Sequence, residues 1–405
     1  MSTATDANAA DLPIFPGDRE ARCPFNPPAE YTRWREEEGL RQVNWNGHTV
    51  WAVNRYEDIK TAMAHPAISA EVLGVLQGHG KHEGPNAPET FPRMDDPEHA
   101  RLRRMLTKDF TVKRVNAMRP DIEAMANEFI DAMVEKGQPG DLVQDYALPI
   151  PSLVISLLLG VPYADHGFFQ GITGKLMNMN TPPEEKLKAS REFFGYMMEL
   201  VARKEREPGD DLMSRVIREH VQTGELRRET AAMNGVILLN AGHETTANMI
   251  ALGTVALLRN PDKAAVLRDT DDQNVIANAV EELLRYLTIV HSLIARIAKE
   301  DVEIGGTLVR AGEGLIMNLP AGNWDPAFTD RPEILDLDRP ARGHIAFGYG
   351  VHQCIGQTLA RAELQIALPT LLRRLPDLRL AVPIEEIRFR NDMSIYGVHA
   401  LPVEW

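Results

Sequence analysis

The stretch that most constrains this chain runs from Thr230 to Arg259. It contains no proline, and helical spacing persists until Asn260-Pro261 ends it. At about 1.5 Å per residue the helix is roughly 45 Å long, enough to cross a whole domain. It is apolar on almost every side, as a helix at the centre of a protein must be. Asn234, Asn240, His243 and Glu244 interrupt it, so it does not read as a membrane span. A chain that wraps such a rod is expected to be mainly α-helical, with smaller elements packed around it.

Helical spacing recurs in Ala29 to Glu38, Tyr56 to His65, Pro97 to Thr107, Arg119 to Lys136, Pro151 to Leu159, Glu184 to Arg206 and Gln357 to Arg373. Gln42 to Val53 instead alternates apolar and polar residues about Asn46-Gly47, which signals a β-hairpin. Short strands are expected around Gly305-Gly306 and small hairpins over Leu378 to Trp405, with an irregular Pro-rich meander over Pro320 to Pro340. Ser69 to Pro92 loses all periodicity and is expected to be a loop that covers a pocket. Its His79 and His82 have no third ligand nearby and read as solvent-exposed loop histidines. Asn178 to Pro183 should be a gap between two helices that move as a lid.

Length alone suggests two or three domains for 405 residues. No linker, repeat or low-complexity stretch supports a division, so residues 24–405 are expected to form one domain behind a Pro-rich N-terminal tail, residues 1–23. The net charge of −14 argues against a nucleic-acid binder. The two cysteines, Cys23 and Cys354, are too few for a disulfide framework and read as thiols in a reducing compartment. The N-terminal residues lack the basic start and apolar run of a signal peptide or anchor, and Leu148 to Tyr163 is broken by prolines. A cytoplasmic monomer with no membrane partner is expected.

The chemistry concentrates in His344 to Gly356, HIAFGYGVHQCIG. Alone, Cys354 would read as a small buried apolar residue. Gly348, Gly350 and Gly356 allow the backbone to turn its N–H groups towards a sulfur, and the helix starting at Gln357 would stabilise a thiolate. Phe347, Gly350, Cys354 and Gly356 fit the pattern F-x-x-G-x-x-x-C-x-G, which resembles the haem-thiolate loop of the cytochromes P-450. The resemblance extends from about Pro24 to Trp405 and is closest to the soluble bacterial type that tailors natural products and oxidises xenobiotics.

That resemblance implies a single-domain cytochrome P-450 fold, mainly α with a long central helix and small β-sheets. Cys354 would be the ligand of haem b iron, with Phe347, Gly348 and Gly356 around it. His99 and Arg103, four apart on one helix face, read alone as a solvated basic surface. The resemblance turns them, with Arg296 and His352, towards the haem propionates. In Asn240 to Thr246, NAGHETT, the segment alone reads as a close helix contact with Thr245 bonded back to Ala241. By resemblance Glu244 and Thr245 become a proton-delivering acid–alcohol pair, and Ala241 and Gly242 leave room for oxygen beside the haem. Glu282 and Arg285, with Arg339, resemble the buried pair that holds the cysteine loop in shape.

Two positions depart from the family's usual residues: Trp324, where arginine is common, and Asn240, where an aliphatic residue is common. The resemblance implies a monooxygenase that inserts one atom of O2 into a medium-to-large apolar small molecule. Its substrate contacts would come from Val72, Leu73, Met177, Asn240, Val290, Ile294 and Ile395. Electrons would come from a ferredoxin and its NAD(P)H reductase, since the chain has no G-x-G-x-x-G and no P-loop. Arg101, Arg104, Lys108, Lys113 and Arg114 make a locally basic surface suited to an acidic donor or simply to solvent. Nitric oxide reduction and peroxygenation are alternatives, which the Glu244-Thr245 pair argues against. A non-enzymatic haem or small-ligand binding protein is the alternative from another class.

Overall fold

The rod expected from the sequence is the longest element of the computed structural model, a helix of 31 residues over Arg228–Leu258. The structure describes residues 9–20, 23–71 and 90–405. In chain order the helices are α1 (Ala29–Glu36), α2 (Tyr56–Ala64), α3 (Glu98–Thr107), α4 (Val112–Lys136), α5 (Pro149–Leu159), α6 (His166–Met177) and α7 (Pro183–Arg206). They continue as α8 (Leu212–Val216), α9 (Arg228–Leu258), α10 (Pro261–Asp269), α11 (Gln273–Leu287), α12 (Leu319–Asn323) and α13 (Gln357–Arg374). Helix α9 packs against α5, α7 and α13, and nearly all of its C-terminal half from Thr246 onwards is buried. The burial of that half on every side explains why its sequence lacks a polar face.

The strands are β1 (Arg41–Trp45), β2 (His48–Val53), β3 (Ile68–Ser69), β4 (Gly140–Asp141), β5 (Ala295–Ala298), β6 (Val302–Ile304), β7 (Thr307–Val309), β8 (Gly314–Met317), β9 (Arg379–Leu380) and β10 (Pro402–Glu404). Asn46 and Gly47 turn the first hairpin at φ 52° and 82°, the left-handed pair that a two-residue turn requires. The larger sheet has the order β1-β2-β8-β5-β3, with β2 and β8 parallel and the other pairs antiparallel. β5 carries Arg296 on this sheet, beside a separate small core that includes Ile59, Leu315 and Ile345. Strand β10 pairs with both β4 and β9, tying the C-terminus to the start of the helical region.

Three expectations need correction. Helix α4 begins at Val112 instead of Arg119, so Pro120 lies inside it. Val115 is buried on the same side as Ile122 and Ala126, and packing against α13 carries the helix through the missing N–H. The apolar run Val290 to Ile294, strand-like in sequence, is not a strand; it makes a single bridge, Val290 to Ile395. The N-terminal segment 9–20 is also more than a surface tail. Phe15 is buried against Tyr31, and the Arg19 guanidinium donates to the carbonyls of Phe25, Leu287 and Thr288. A guanidinium capping the end of α11 satisfies carbonyls that the helix leaves open.

Candidate functional site

The cysteine loop is held from both sides. The Cys354 N–H donates to Phe347 O at 2.9 Å. Gly348 and Gly350 have φ of 74° and 73°, and a Cβ at Gly350 would lie 3.2 Å from Met63 O. Both positions therefore need glycine. Gly356 has ordinary φ and serves differently: it precedes α13, and its N–H and that of Gln357 reach the Cys354 sulfur. The sulfur is accessible although protein surrounds it, as on the wall of a recess. Burial pushes the thiol up and outweighs the two N–H groups and the charges of Arg103 and Arg361.

Behind the loop lies a support that the sequence did not reveal. Arg361, on α13, places its guanidinium 4.5 Å from the Phe347 ring centre and grips Glu281 with bonds of 2.6 and 3.0 Å. Glu281 also lies 3.2 Å from His344 Nε2, close although not aligned as a hydrogen bond. Burial pushes the Glu281 carboxyl up, but His344 and Arg361 prevail and hold it at about 2. The adjacent Glu282 and Arg285 are fully buried and joined by bonds of 2.7 and 2.8 Å, and Arg339 adds a third at 3.2 Å. Arg285 reaches Asn323 O, while Asn323 Oδ1 accepts from Ile345 N at 2.8 Å, so this pair does brace the loop. Trp324 stacks on Tyr286 and donates to Tyr286 O at 2.9 Å, which accounts for an aromatic residue at that position.

Four expected cationic or imidazole groups lie around the loop. The rings of His99 and His352 are 4.1 Å apart, and Arg103 donates to Gln353 O at 2.5 Å. His99 bonds Asp96 through Nδ1; among the described residues its buried Nε2 has no partner, and neither has the buried His352 Nδ1. Among the described residues Arg296 donates only to Ala295 O, and burial lowers it to about 10. Burial, then the charges of Arg296 and His99, hold His352 at about 4. Buried cationic groups without carboxylates are costly, and Arg103 and Arg296 have none among the described residues, so this set suits two anionic groups brought by a cofactor.

In the middle of α9, Met233, Val236, Ile237, Asn240, Ala241 and Thr245 are accessible along one stripe, with Gly242 beside it. The i, i+3, i+4, i+7 spacing shows that this otherwise buried helix presents one face to a recess. Thr245 donates to Ala241 O at 2.8 Å, so the helix ladder is closed at this point, as the bare sequence suggested. Gly242 does not make room for oxygen: a Cβ there would meet Ile155 of α5 at 2.6 Å, so the missing side chain serves helix packing. Glu244 turns away from Thr245 towards Arg390.

The remaining substrate positions separate. Ser394 N donates to Met177 O, and Val290 bridges Ile395, so α6 and the C-terminal segment meet there. Met177, Val290, Ile294 and Asn240 are partly accessible, and among the described residues Asn240 Oδ1 has no hydrogen-bond partner. Ile395 is completely buried in the main core and is a packing residue instead. Val72 and Leu73, and His79 and His82 with them, lie outside the described residues.

Comparison with known proteins shows the family of the chain. The family model described as Cytochrome P450 matches residues 28–376. The chain is 49% identical to Cytochrome P450-SU2 of Streptomyces griseolus over the full length of both. The crystal structure of GfsF superposes with a TM-score of 0.87 at 44% identity, covering 97% of this chain and 100% of that one. The mycinamicin VIII C21 methyl hydroxylase MycCI from Micromonospora griseorubida, bound to mycinamicin VIII, gives 0.89 at 35% identity with the same coverage.

Proposed function

Since this chain belongs to the cytochrome P450 family and is a cytochrome P450 monooxygenase, we propose that it holds haem b through Cys354 and hydroxylates or epoxidises a medium-to-large apolar molecule. The observation that carries this reading is the convergence of His99, Arg103, Arg296 and His352 around the cysteine loop, where among the described residues Arg103 and Arg296 have no carboxylate partner and His99 Nε2 and His352 Nδ1 are buried without a hydrogen bond. Their charges and N–H groups match two propionates and fix the ring's orientation. When bound, the haem supplies the activation of O2, with electron donation from the cysteine sulfur favouring O–O cleavage.

The chain's own residues do the rest. Gly356 and Gln357 N–H groups orient the sulfur, while the Glu281–Arg361 and Glu282–Arg285 pairs fix the loop that carries it. The stripe from Met233 to Thr245, with Met177, Val290 and Ile294, forms an apolar wall that seats substrate and excludes water. Asn240 is the polar exception on that stripe. Thr245 and Glu244 move protons, which requires the Thr245 hydroxyl to leave Ala241 O when it acts.

We assign the electron supply to a ferredoxin and its NAD(P)H reductase. Arg104, Lys113 and Arg114 are exposed on α3 and α4, and Phe110 between these helices lies beside Gly356. That puts a basic surface next to the cysteine loop, within an acidic chain. We also assign the chain to the cytoplasm as a monomer; its two free cysteines fit a reducing compartment. The test is NADH consumption and product formation with a ferredoxin, its reductase and a panel of macrolides, terpenoids and steroids. Substrate-dependent hydroxylation supports the assignment. Direct oxidation of NADH by nitric oxide without ferredoxin would replace it with the reductase alternative, and haem binding without any O2 consumption would leave a binding protein.

A further inference from the structure

Arg19 is buried, yet no carboxylate pairs with it among the described residues. Its guanidinium donates to Phe25 O at 3.0 Å and to Leu287 O and Thr288 O at 3.2 Å, and it lies 4.2 Å from the centre of the Tyr396 ring. Enclosing an unpaired cation is costly, and burial lowers its pKa. Directional contacts offset that cost: three charge-assisted hydrogen bonds, two of them at the negative end of α11, and the negative face of an aromatic ring. The main chain adds a reciprocal pair, with Arg19 N donating to Asn391 Oδ1 at 3.3 Å and Asn391 Nδ2 donating to Arg19 O at 3.4 Å. One side chain thereby ties together the N-terminal segment, the end of α11 and the C-terminal segment.

The last two of these run directly into walls of the recess. Thr288 ends α11 at φ 32° and ψ 76°, a left-handed conformation that a β-branched residue resists. A residue stays in such a conformation only where its surroundings over-determine it. Arg19 holds the Thr288 carbonyl, and Asn323 Nδ2 donates to its hydroxyl at 2.8 Å. The chain then leaves the helix through residues 289–294, where Val290, Leu293 and Ile294 are partly accessible. No strand ladder holds this stretch, and its carbonyls are caught singly. Ile289 O accepts from Tyr396 N, Ser292 O from Trp45 Nε1 and Ile294 O from Met317 N. The C-terminal segment is joined in turn to the end of α6, because Ser394 N donates to Met177 O and Met179 N to Asp392 O. Arg19, between Thr288 and Tyr396, braces the joint that the Tyr396–Ile289 bond and the Val290–Ile395 bridge form.

We propose that Arg19 is a specificity-determining positioning residue: by fixing Thr288 and Tyr396 it sets where Val290, Leu293 and Ile294 stand along the recess, and so which bulky molecules fit there. It acts through the wall and touches neither substrate nor haem. Only a planar fork of donors can reach three carbonyls and lie over a ring at once, which a lysine ammonium does not do. The inference rests on the reading of the recess as the haem and substrate site.

The test uses haem-loaded protein and two iron ligands: imidazole, which needs only the iron, and clotrimazole, whose triaryl body also needs the walls. In Arg19→Met the strained Thr288 relaxes and the wall moves, so clotrimazole should bind roughly ten-fold more weakly, the order of one misfitted methylene in an apolar pocket. Imidazole affinity and the ferrous carbon-monoxide spectrum should be unchanged. Lys204→Met breaks the Lys204–Asp211 pair between α7 and α8 and is the control for lost stability; it should leave both affinities unchanged. Arg19→Lys keeps the charge without the fork and should weaken clotrimazole alone, by a smaller factor, and it carries the test if Arg19→Met does not hold haem. Wild-type clotrimazole affinity in the Arg19 variants, an equal loss for imidazole, or the same clotrimazole loss in Lys204→Met overturns the proposal. If the wild type binds neither ligand at iron, the haem reading fails first; if it binds both and the Arg19 variants match it, the positioning role alone fails.

Discussion

The Glu282–Arg285 pair offers the sharpest test of how the cysteine loop is braced. Both side chains are entirely buried. Glu282 accepts from Arg285 twice, from Arg339 at 3.2 Å and from Asp336 N at 3.1 Å. Removing the carboxylate in Glu282→Ala leaves the Arg285 guanidinium buried with only the carbonyls of Asn323 and Ile334. Breaking a buried pair in this way costs about 3–5 kcal/mol, a large part of the about 5–15 kcal/mol that stabilises an ordinary domain. Guanidinium chloride unfolding followed by tryptophan fluorescence should show the midpoint falling accordingly with an unchanged slope. The double replacement Glu282→Leu/Arg285→Met should lose less than Glu282→Ala, because it removes both charges and keeps the volume. A loss of under about 1 kcal/mol in the single variant would refute the bracing role.

Three further outcomes follow from the geometry. Thr245→Ala should still consume reducing equivalents but release them largely as peroxide; fully coupled product formation would remove Thr245 from proton delivery. His291 is buried with its ring bonded to Met393 O, and burial, opposed by that bond, lowers it from 6.5 to about 4. Between these values the unfolded chain takes up a proton that the folded chain refuses, so stability falls as pH falls, by roughly 3 kcal/mol once pH is below 4. Acid unfolding of His291→Gln should lack that part of the slope, and an unaltered slope would mean that His291 protonates normally. Gly397→Ala must push Asn248 aside, because a Cβ there would run into its side chain, and should cost about 1–3 kcal/mol in thermal unfolding; a neutral effect would show that the C-terminal segment yields easily.

Much of this architecture was legible because local chemistry decided it. The length and all-round apolarity of α9, the Asn46-Gly47 hairpin and the spacing about Cys354 each depend on residues close in sequence. Pro120 misled because a proline reads as a first-turn residue, whereas packing of α4 against α13 carries the helix through it. Gly242 misled for a similar reason: its neighbour is Ile155, more than eighty positions away, and no local pattern announces that contact. Arg390 lies still further from Glu244 in sequence, and the turn that unites them depends on Gly397. Arg361 was in principle visible, since it follows Cys354 by two helical turns on the same face. Its partner Glu281, however, is brought by α11.

The most direct measurement of the central claim is the ferrous carbon-monoxide difference spectrum of the haem-loaded protein beside that of Cys354→Ser. The account predicts the strongly red-shifted Soret band of a thiolate-ligated haem in the wild type and its absence from Cys354→Ser. A wild type without that band, or a Cys354→Ser variant that keeps it, would contradict the assignment of Cys354 as the iron ligand.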